Sequence, residues 1–353
     1  GGVDGLARRM ADKRFADLGI DREELQEFLA AAPQAAAAFA RLYDNSHPDA
    51  ERADDPAGEA RRAIERWQNH FADLDHVAED LADELRLSRG DISAALIERL
   101  REKHRLAVRI LPADVVPGLV HRLDLHARQL QLSEMLGGAA RRFQIARQIA
   151  SLEQRDAIDT VVEGGNLTSP EARQIFREHV TDYIALALLM PYRRFLRACE
   201  QTGYDLSILV RRFTVSFDQL AQRLTTLQRV GERGLPFFCA HFDRAGSMLQ
   251  FSAGASGAVY PLESARRPQW VAYATFERRG ALLTQSVTFG EGEAGPRHWF
   301  NLARTIEDDG VAFYSRRAIV LGLEARFSEQ LIQSQAIALG PLDAASPEGT
   351  PVP

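Results

Sequence analysis

Residues 141–153 read RRFQIARQIASLE, with polar side chains at a spacing that helices use for zinc chemistry. In the pattern H-E-x-x-H, two His one turn apart hold the metal and the Glu acts as base. Here those three positions carry Arg147, Gln148 and Ser151. On a helix Gln144, Arg147, Gln148 and Ser151 share one face, at i, i+3, i+4 and i+7, while Phe143, Ile145, Ala146, Ile149, Ala150 and Leu152 cover the rest. Zinc hydrolysis needs three neutral-His or carboxylate ligands and an activated water. Arg147 supplies a permanent positive charge instead, and Gln148 cannot take a proton. Peptidase chemistry through this face is implausible. Taken alone, the segment is a moderately amphipathic helix whose polar stripe meets water.

Other chemistry-bearing residues are scattered. The nine His include His121 and His126, which flank a short β-like run at a spacing unsuited to shared ligation. Solvated or hydrogen-bonded imidazoles are the better reading for them. Cys199 and Cys239 fit no C-x-x-C spacing and read as small core residues of a protein in a reducing cytoplasm. The stretch LSILVRRFTVSFDQLAQRL has the outline of a helix-turn-helix, with Arg211, Arg212, Arg223 and Arg229 as basic residues in or just after it. Its apolar residues Leu209, Phe213, Val215, Leu220 and Leu224 favour core scaffold over DNA recognition. No G-x-S-x-G or Ser–His–Asp pattern stands out.

The elements that must position these residues fall into two groups. Residues 5–43 read as helices, followed by a polar linker, DNSHPDAERADDPAG. EARRAIERWQNHFADLDHVAEDLADELRL predicts one helix of up to seven turns, with Ile64, Trp67, Phe71, Leu74 and Ala78 at helical spacing. That stripe suits either a dimer contact or packing on its own domain. DISAALIERLREKH is a helix with Asp91 or Ser93 near its cap. Three β-like runs follow, LAVRIL, LVHRLDL and RQLQLS, and then helices at 138–155 and 169–190. The second of these opens on Ser169-Pro170, a favoured cap and first position. Residues 191–228 stay helical, with a break at Gly203.

Beyond GERGLPF the sequence turns strand-rich: PFFCAHFD, SMLQFS, QWVAYATF, LLTQSVTF, RHWFNLART and AIVLGLEA are short runs split by Gly and charged turns. They predict an antiparallel sheet, closed by a helix around 328–338. The tail PLDAASPEGTPVP is disordered by composition. The expected class is α+β, with a helical N-terminal region at 1–88, a second domain at 89–230, a sheet domain at 231–340 and the tail at 341–353. With 353 residues, 45% of them hydrophobic and 26% charged, the chain suits two cores. A net charge of −6 argues against wholesale coating of nucleic acid. No signal peptide or membrane-length apolar run stands out; YIALALLM suits only a buried helix.

Two groups of motifs carry a resemblance. The order around 90–228, with LLMP at 188–191 and RRFTVSFDQLAQRLTTL at 211–227, resembles the ImmA/IrrE-type metallopeptidase domain. Against that pattern the third ligand, a Glu on the later helix, falls on Val180. A narrower likeness runs from residue 14 to about 340, through RFADLGI, FQIARQIASLE, ALLMPYRRFL, PFF and DRAG. It resembles the short-chain fatty acyl transcriptional regulators of bacteria. The resemblance implies a helix-turn-helix head, a degenerate metallopeptidase-like (zincin) domain and a C-terminal sensory domain. It also implies CoA or an acyl-CoA as effector and no metal or other cofactor. DNA is then contacted only through a head domain missing here, in a homodimer. The start GGVDGLARRM, without Met or such a head, reads as a truncated regulatory fragment. Some members carry a Cys-rich segment and an iron–sulfur cluster; here Tyr260 stands at the Cys position, and two cysteines cannot build a four-Cys cluster.

A CoA site needs cations for its phosphates, a flat surface for adenine and an apolar channel for pantetheine and acyl chain. The candidates are Arg141, Arg142, Arg147, Gln148 and Ser151 beside the old cleft, with Tyr183 and Tyr192 on the next helices. The strand domain adds Arg278, Arg279, Arg297, Trp299 and Arg304. Two other functions compete with sensing: a peptide-holding interaction module that keeps the peptidase-like cleft, and a hydrolase such as a thioesterase working through other residues.

Overall fold

A computed structural model describes residue 31 and residues 55–115, 121–258, 269–292, 295–307 and 316–343. The helices expected over 5–43, most of the linker after them, Tyr260 and the tail beyond 343 lie outside the described residues. Residues 59–353 form one compact unit. It is α+β.

The helical part begins with α1 (Pro56–Arg66) and α2 (Ala72–Glu84). The single long helix expected here is broken. Gln68 and Asn69 both adopt left-handed backbone at φ 52, which ends the first helix. The break is held by side chains: Asn69 donates from Nδ2 to Thr225 Oγ1 at 3.0 Å, and its Oδ1 lies 2.8 Å from His179 Nε2. The aromatic stripe survives the break and is consumed internally. Phe71, Leu74 and Ala78 are buried, with Trp67 packed against them, in a core shared with Phe176, Val180 and Ile184. Packing on its own domain is the outcome, and a dimer face is not needed to explain it.

Next come α3 (Ile92–His104), capped by Asp91, and a sheet of β1 (Ala107–Leu111), β2 (His121–Asp124) and β3 (Gln129–Ser133). Its order is β1-β3-β2, with β1 parallel and β2 antiparallel to β3. Then follow α4 (Gly138–Glu153), α5 (Arg155–Gly164) and α6 (Pro170–Leu189). Helix α5 was not anticipated as a separate element. Ser169 caps α6 as expected, its Oγ accepting from the Ala172 N–H at 3.1 Å. Gly203, at φ 59, ends α7 (Tyr192–Thr202). Asp205 caps α8 (Leu206–Phe213), and a Ser216/Gln219 capping box starts α9 (Phe217–Leu224).

A two-stranded hairpin, β4 (Gln228–Arg229) with β5 (Glu232–Arg233), leads into the large sheet. Its main strands are β6 (Phe238–Phe242), β7 (Met248–Ser252), β8 (Leu282–Gly292), β9 (Gly295–Glu307) and β10 (Arg316–Glu324). The order is β11-β8-β9-β10-β6-β7, antiparallel except where the short β11 (Ala336–Ala338) and β12 (Leu342–Asp343) run parallel to β8. The sheet is double-faced, following the two-residue side-chain period. Leu302, Ile319, Leu321 and Leu323 meet the helices, while Trp299, Ala303, Ala318 and Val320 face the other layer.

Three expectations fail here. QWVAYATF is not a strand: Val271–Glu277 is a helix, α10, laid on the sheet through buried Val271, Ala272 and Thr275. The segment covers the apolar face of the sheet instead, packing on β8, β9 and β10. The closing helix near 328–338 is only a 3-10 turn at Ala325–Gln330 followed by β11. Residues 332–334 are instead pinned to the α7–α8 corner. The Ile332 N–H donates to the Gly203 carbonyl at 2.7 Å, and Gln333 Nε2 to the Tyr204 carbonyl at 2.6 Å. Leu342 and Asp343, expected in the disordered tail, pair with Val287 and Thr288. Among the described residues, no helix is long and apolar enough to cross a membrane.

Candidate functional site

Helix α4 buries Ile145, Ala146, Ile149 and Ala150 and turns its polar stripe toward α6 and β2. Arg147 pairs there with Asp182 on α6 through Nε and Oδ1. Val180, which holds the third-ligand position of the pattern, does not face Arg147. Val180 is 0% exposed inside the core around Phe71 and Phe176, and residues two apart on a helix point about 200° away from each other. Asp182 is the α6 residue that faces Arg147. Burial lifts the Asp182 carboxyl above its ordinary range against the pull of Arg147, although solvent still reaches 39% of its side chain. His121 on β2 feels the same arginine: burial, then the Arg147 charge, lower its pKa. No group of three potential metal ligands occurs among the described residues.

Below this pair opens a cavity of about 610 Å³ between helices and sheet. Gln144 and Asp182 line it from α4 and α6, Phe217, Asp218, Gln219 and Gln222 from α9, Arg304–Glu307 from β9 and Arg317 from β10. Its apolar wall is Leu136, Ala140, Phe143, Leu186, Val210 and Ile306. Two features leave interactions to spare. The Gln144 Oε1 atom is sealed from solvent and accepts no hydrogen bond. Arg304 stacks its guanidinium over the Phe217 ring at 5.8 Å and has no ion-pair partner among the described residues. The other charges are matched: Arg317 lies 3.8 Å from Asp218, which is also 3.3 Å from buried His241, and Glu307 is 3.3 Å from Arg316. The cavity can thus take a ligand with an anionic group, an apolar arm and at least one hydrogen-bond donor.

The residues expected at the site are not all gathered here. Arg304 lines the cavity, and Arg147 reaches it through Asp182. Gln148 and Ser151 lie on α4 beyond it, half-buried and exposed. Arg142 donates to the Thr214 carbonyl at 2.5 Å, tying the end of α8, and Arg141 to the Glu134 carbonyl at 2.9 Å. Tyr183 is core: its hydroxyl donates to Asp75 at 2.8 Å and accepts from the Phe71 N–H at 3.2 Å. Tyr192 is core as well, donating to the Glu232 carbonyl at 2.7 Å and accepting from the Arg229 N–H at 2.8 Å. Trp299 is buried against Phe238 on the far layer of the sheet. Arg278, Arg279 and Arg297 are exposed. None of these residues, Arg141 and Arg142 included, takes part in the cavity wall. Of the basic residues in the helix-turn-helix-like stretch, Arg223 is buried on Asp75 at 2.7 Å and Arg229 is held by Glu79 at 2.7 Å. Sequence reasoning missed Arg317, Asp182 and Phe217. Gln144 was legible as the residue one turn before Arg147 on the same face.

Comparison with known proteins divides the chain at the same joint. Residues 101–225 match the IrrE N-terminal-like domain, and residues 226–351 match the short-chain fatty acyl coenzyme A regulator, C-terminal, domain. The HTH-type transcriptional regulator RamB of Mycobacterium tuberculosis is 33% identical over 370 residues, covering 97% of this chain and 76% of RamB. The chain belongs to the short-chain fatty acyl regulator family. The HTH-type transcriptional regulator PrpR of Mycobacterium tuberculosis is 28% identical, covering 95% of this chain and 73% of its own. The propionyl-CoA carboxylase regulator of Cereibacter sphaeroides is 29% identical, with 96% and 74% covered. A solved Mycobacterium tuberculosis transcriptional regulator superposes with a TM-score of 0.72 at 29% identity, over 82% of this chain and 89% of that one. Membership places this regulator in transcriptional control. Its family boundary, 225/226, falls between α9 and β4 and separates the two walls of the cavity.

Proposed function

We propose that this regulator senses CoA or a CoA thioester in the cavity between its helices and its sheet, and that it does no catalysis there. The observation that carries the reading is that both modules contribute to one cavity, where, among the described residues, Arg304 has no ion-pair partner on the sheet side and Gln144 Oε1 accepts no hydrogen bond on the helix side. A CoA phosphate suits Arg304 and the neighbouring Arg317. The pantetheine arm carries amide N–H groups for Gln144 Oε1, and the wall of Leu136, Phe143, Leu186, Val210 and Ile306 suits its methylenes and a short acyl chain. A ligand that contacts both modules has different affinities for different arrangements of them, which is the thermodynamic requirement for a sensor. The DNA-binding head and the homodimer implied by the resemblance belong to the same proposal. Arg147, Gln148 and Ser151 leave the old cleft without a metal or a general base.

Titration calorimetry with CoA and propionyl-CoA tests this reading. Saturable binding that Arg304→Ala weakens at least tenfold, and that Arg279→Ala leaves unchanged, is the expected result. Equal affinity in the Arg304 variant, or no heat with any CoA species, overturns it.

A further inference from the structure

A second cavity, about 810 Å³, lies on the other side of the joint. It is walled by Gln68 in the α1–α2 break, Tyr204 at the α7–α8 corner, Gln228 and Arg233 on the β4–β5 hairpin, and Phe327 in the 3-10 turn. It shares no lining residue with the cavity assigned above to CoA.

Its wall has donors with nothing to donate to. Gln228 Nε2 is sealed from solvent and has no hydrogen-bond partner. Tyr204, 4% exposed, accepts the Leu235 N–H at 3.1 Å, but its own hydroxyl proton has no acceptor among the described residues. Tyr183 and Tyr192, the comparable buried tyrosines, each both donate and accept. Arg233 adds a cation without an ion-pair partner among the described residues, although its hairpin neighbours Arg229 and Glu232 are paired. Glu200 is the one carboxylate on the wall and is likewise unpaired. Buried donors without acceptors are uncommon and costly. Two of them beside an unpaired guanidinium describe a receptor for an anionic oxygen acceptor.

We infer that this cavity is a second effector site, taking a small anion whose carboxylate or phosphate oxygens accept from Gln228, Tyr204 and Arg233. Glu200 selects ligands that carry a hydroxyl or ammonium donor at the opposite end. The occupant touches Gln68, next to Asn69, whose side chain ties the α1–α2 break to Thr225 and His179. Binding there therefore acts on the segment through which α1 joins the rest of the body. The inference does not depend on the CoA reading, because the two sites share no residue.

Gln228→Met keeps the length of the side chain and removes the unsatisfied amide. A purely structural Gln228 predicts a lower melting temperature for this variant. A site awaiting an acceptor predicts an unchanged or raised one in ligand-free protein. Thermal shift and calorimetry on the whole chain with L-malate, propionate and inorganic phosphate provide the second readout. The expected result is saturable stabilisation by at least one anion, lost tenfold or more in affinity in Gln228→Met and Tyr204→Phe and retained in Arg304→Ala and at saturating CoA. Malate or propionate binding alone identifies a carboxylate; phosphate binding alone identifies a phosphate group. No saturable binding by any of the three at millimolar concentration, binding indifferent to Gln228→Met, or displacement by CoA overturns the inference.

Discussion

Asp75 and Arg223 carry the most informative perturbation of the fold. Their side chains are 0% and 1% exposed, and Nη2 stands 2.7 Å from Oδ1. At that distance the gross attraction is about 6 kcal/mol for an effective dielectric of about 20. Desolvation costs several kcal/mol for each ion. The pair as a whole is thus near break-even, but half of it is not. With Asp75→Ala, Arg223 stays buried with only the Met190 carbonyl at 3.1 Å and the Thr226 hydroxyl at 3.0 Å as neutral acceptors. The Tyr183 hydroxyl also loses its acceptor at 2.8 Å. His70, 3.5 Å from Asp75, offers no replacement, because an imidazole cannot supply the lost negative charge and its Nδ1 is already engaged with the Thr226 carbonyl at 3.0 Å. The expected loss is about 3–5 kcal/mol, against a total stability of roughly 5–15 kcal/mol for an ordinary domain. Asp75→Leu with Arg223→Met removes both charges, and it should cost less than Asp75→Ala alone. Urea denaturation followed by circular dichroism measures both. A loss under about 1 kcal/mol for Asp75→Ala, or a double variant as costly as the sum of the two singles, would refute the argument.

Four further outcomes follow from the same geometry. Burial pulls the His179 pKa down to about 4 from 6.5, so the unfolded chain protonates first. Its contribution is intact near neutrality and drains as pH falls from about 6.5 toward 4, by up to about 3 kcal/mol. His179→Gln should flatten the melting-temperature profile across that range, and an unchanged slope counts against the assignment. Glu153, where burial is outweighed by hydrogen bonds from Arg99, Lys103 and His104, sits at about 2 and loses its own contribution only below its ordinary 4.5. Arg147→Ala breaks a pair whose side chains are 25% and 39% exposed, so chemical denaturation should register about 0.2–1 kcal/mol; a loss above 2 kcal/mol would show the pair to be a structural anchor. Gly322→Ala drives a β-carbon into the Phe238 ring in the sheet core, and a destabilisation of about 2 kcal/mol or more is expected from forced repacking. A thermal melt indistinguishable from the parent would contradict that packing.

Where pattern and local chemistry agree, the fold is legible in the residues. Ser169-Pro170, Asp91 and Gly203 mark helix ends that the structure confirms. The runs around β1–β3 and most of the large sheet are readable from their β-branched and aromatic residues. The failures are all tertiary. Nothing local in RWQNHF announces a helix break, because the break depends on Thr225 and His179, distant in sequence, receiving the Asn69 side chain. QWVAYATF has the β-branched and aromatic residues of a strand yet forms a helix that buries Val271, Ala272 and Thr275 on the face of the sheet. Tyr183, Tyr192 and Trp299 have the chemistry of ligand-binding residues, and composition cannot tell a buried hydroxyl with two partners from one waiting for a ligand. Arg304 was readable as a cation on the strand domain. Its pairing with Gln144 across a cavity was not, since the two are brought together only by the packing of β9 on α4 and α9.

The joint between the modules limits how a signal can travel. One continuous core runs from Leu81 and Leu96 through Leu209, Phe213 and Leu220 to Leu302, Ile319, Leu321 and Leu323. Helices and sheet therefore do not meet as two finished domains with a wet hinge; opening them would expose apolar surface at about 25 cal/mol per Å². Small ligands supply too little energy for such an opening, so an effector has to act by shifting contacts that are already polar. One set of them gathers at the break between α1 and α2. Asn69 faces Thr225 on the helical side, Ser252 of β7 at 3.5 Å and His179 of α6, while its neighbour His70 has Nδ1 3.0 Å from the Thr226 carbonyl. The break between α1 and α2 thus touches both modules through exchangeable hydrogen bonds. It is also the covalent route by which α1 joins the rest of the body, and Gln68 within it lines the 810 Å³ cavity.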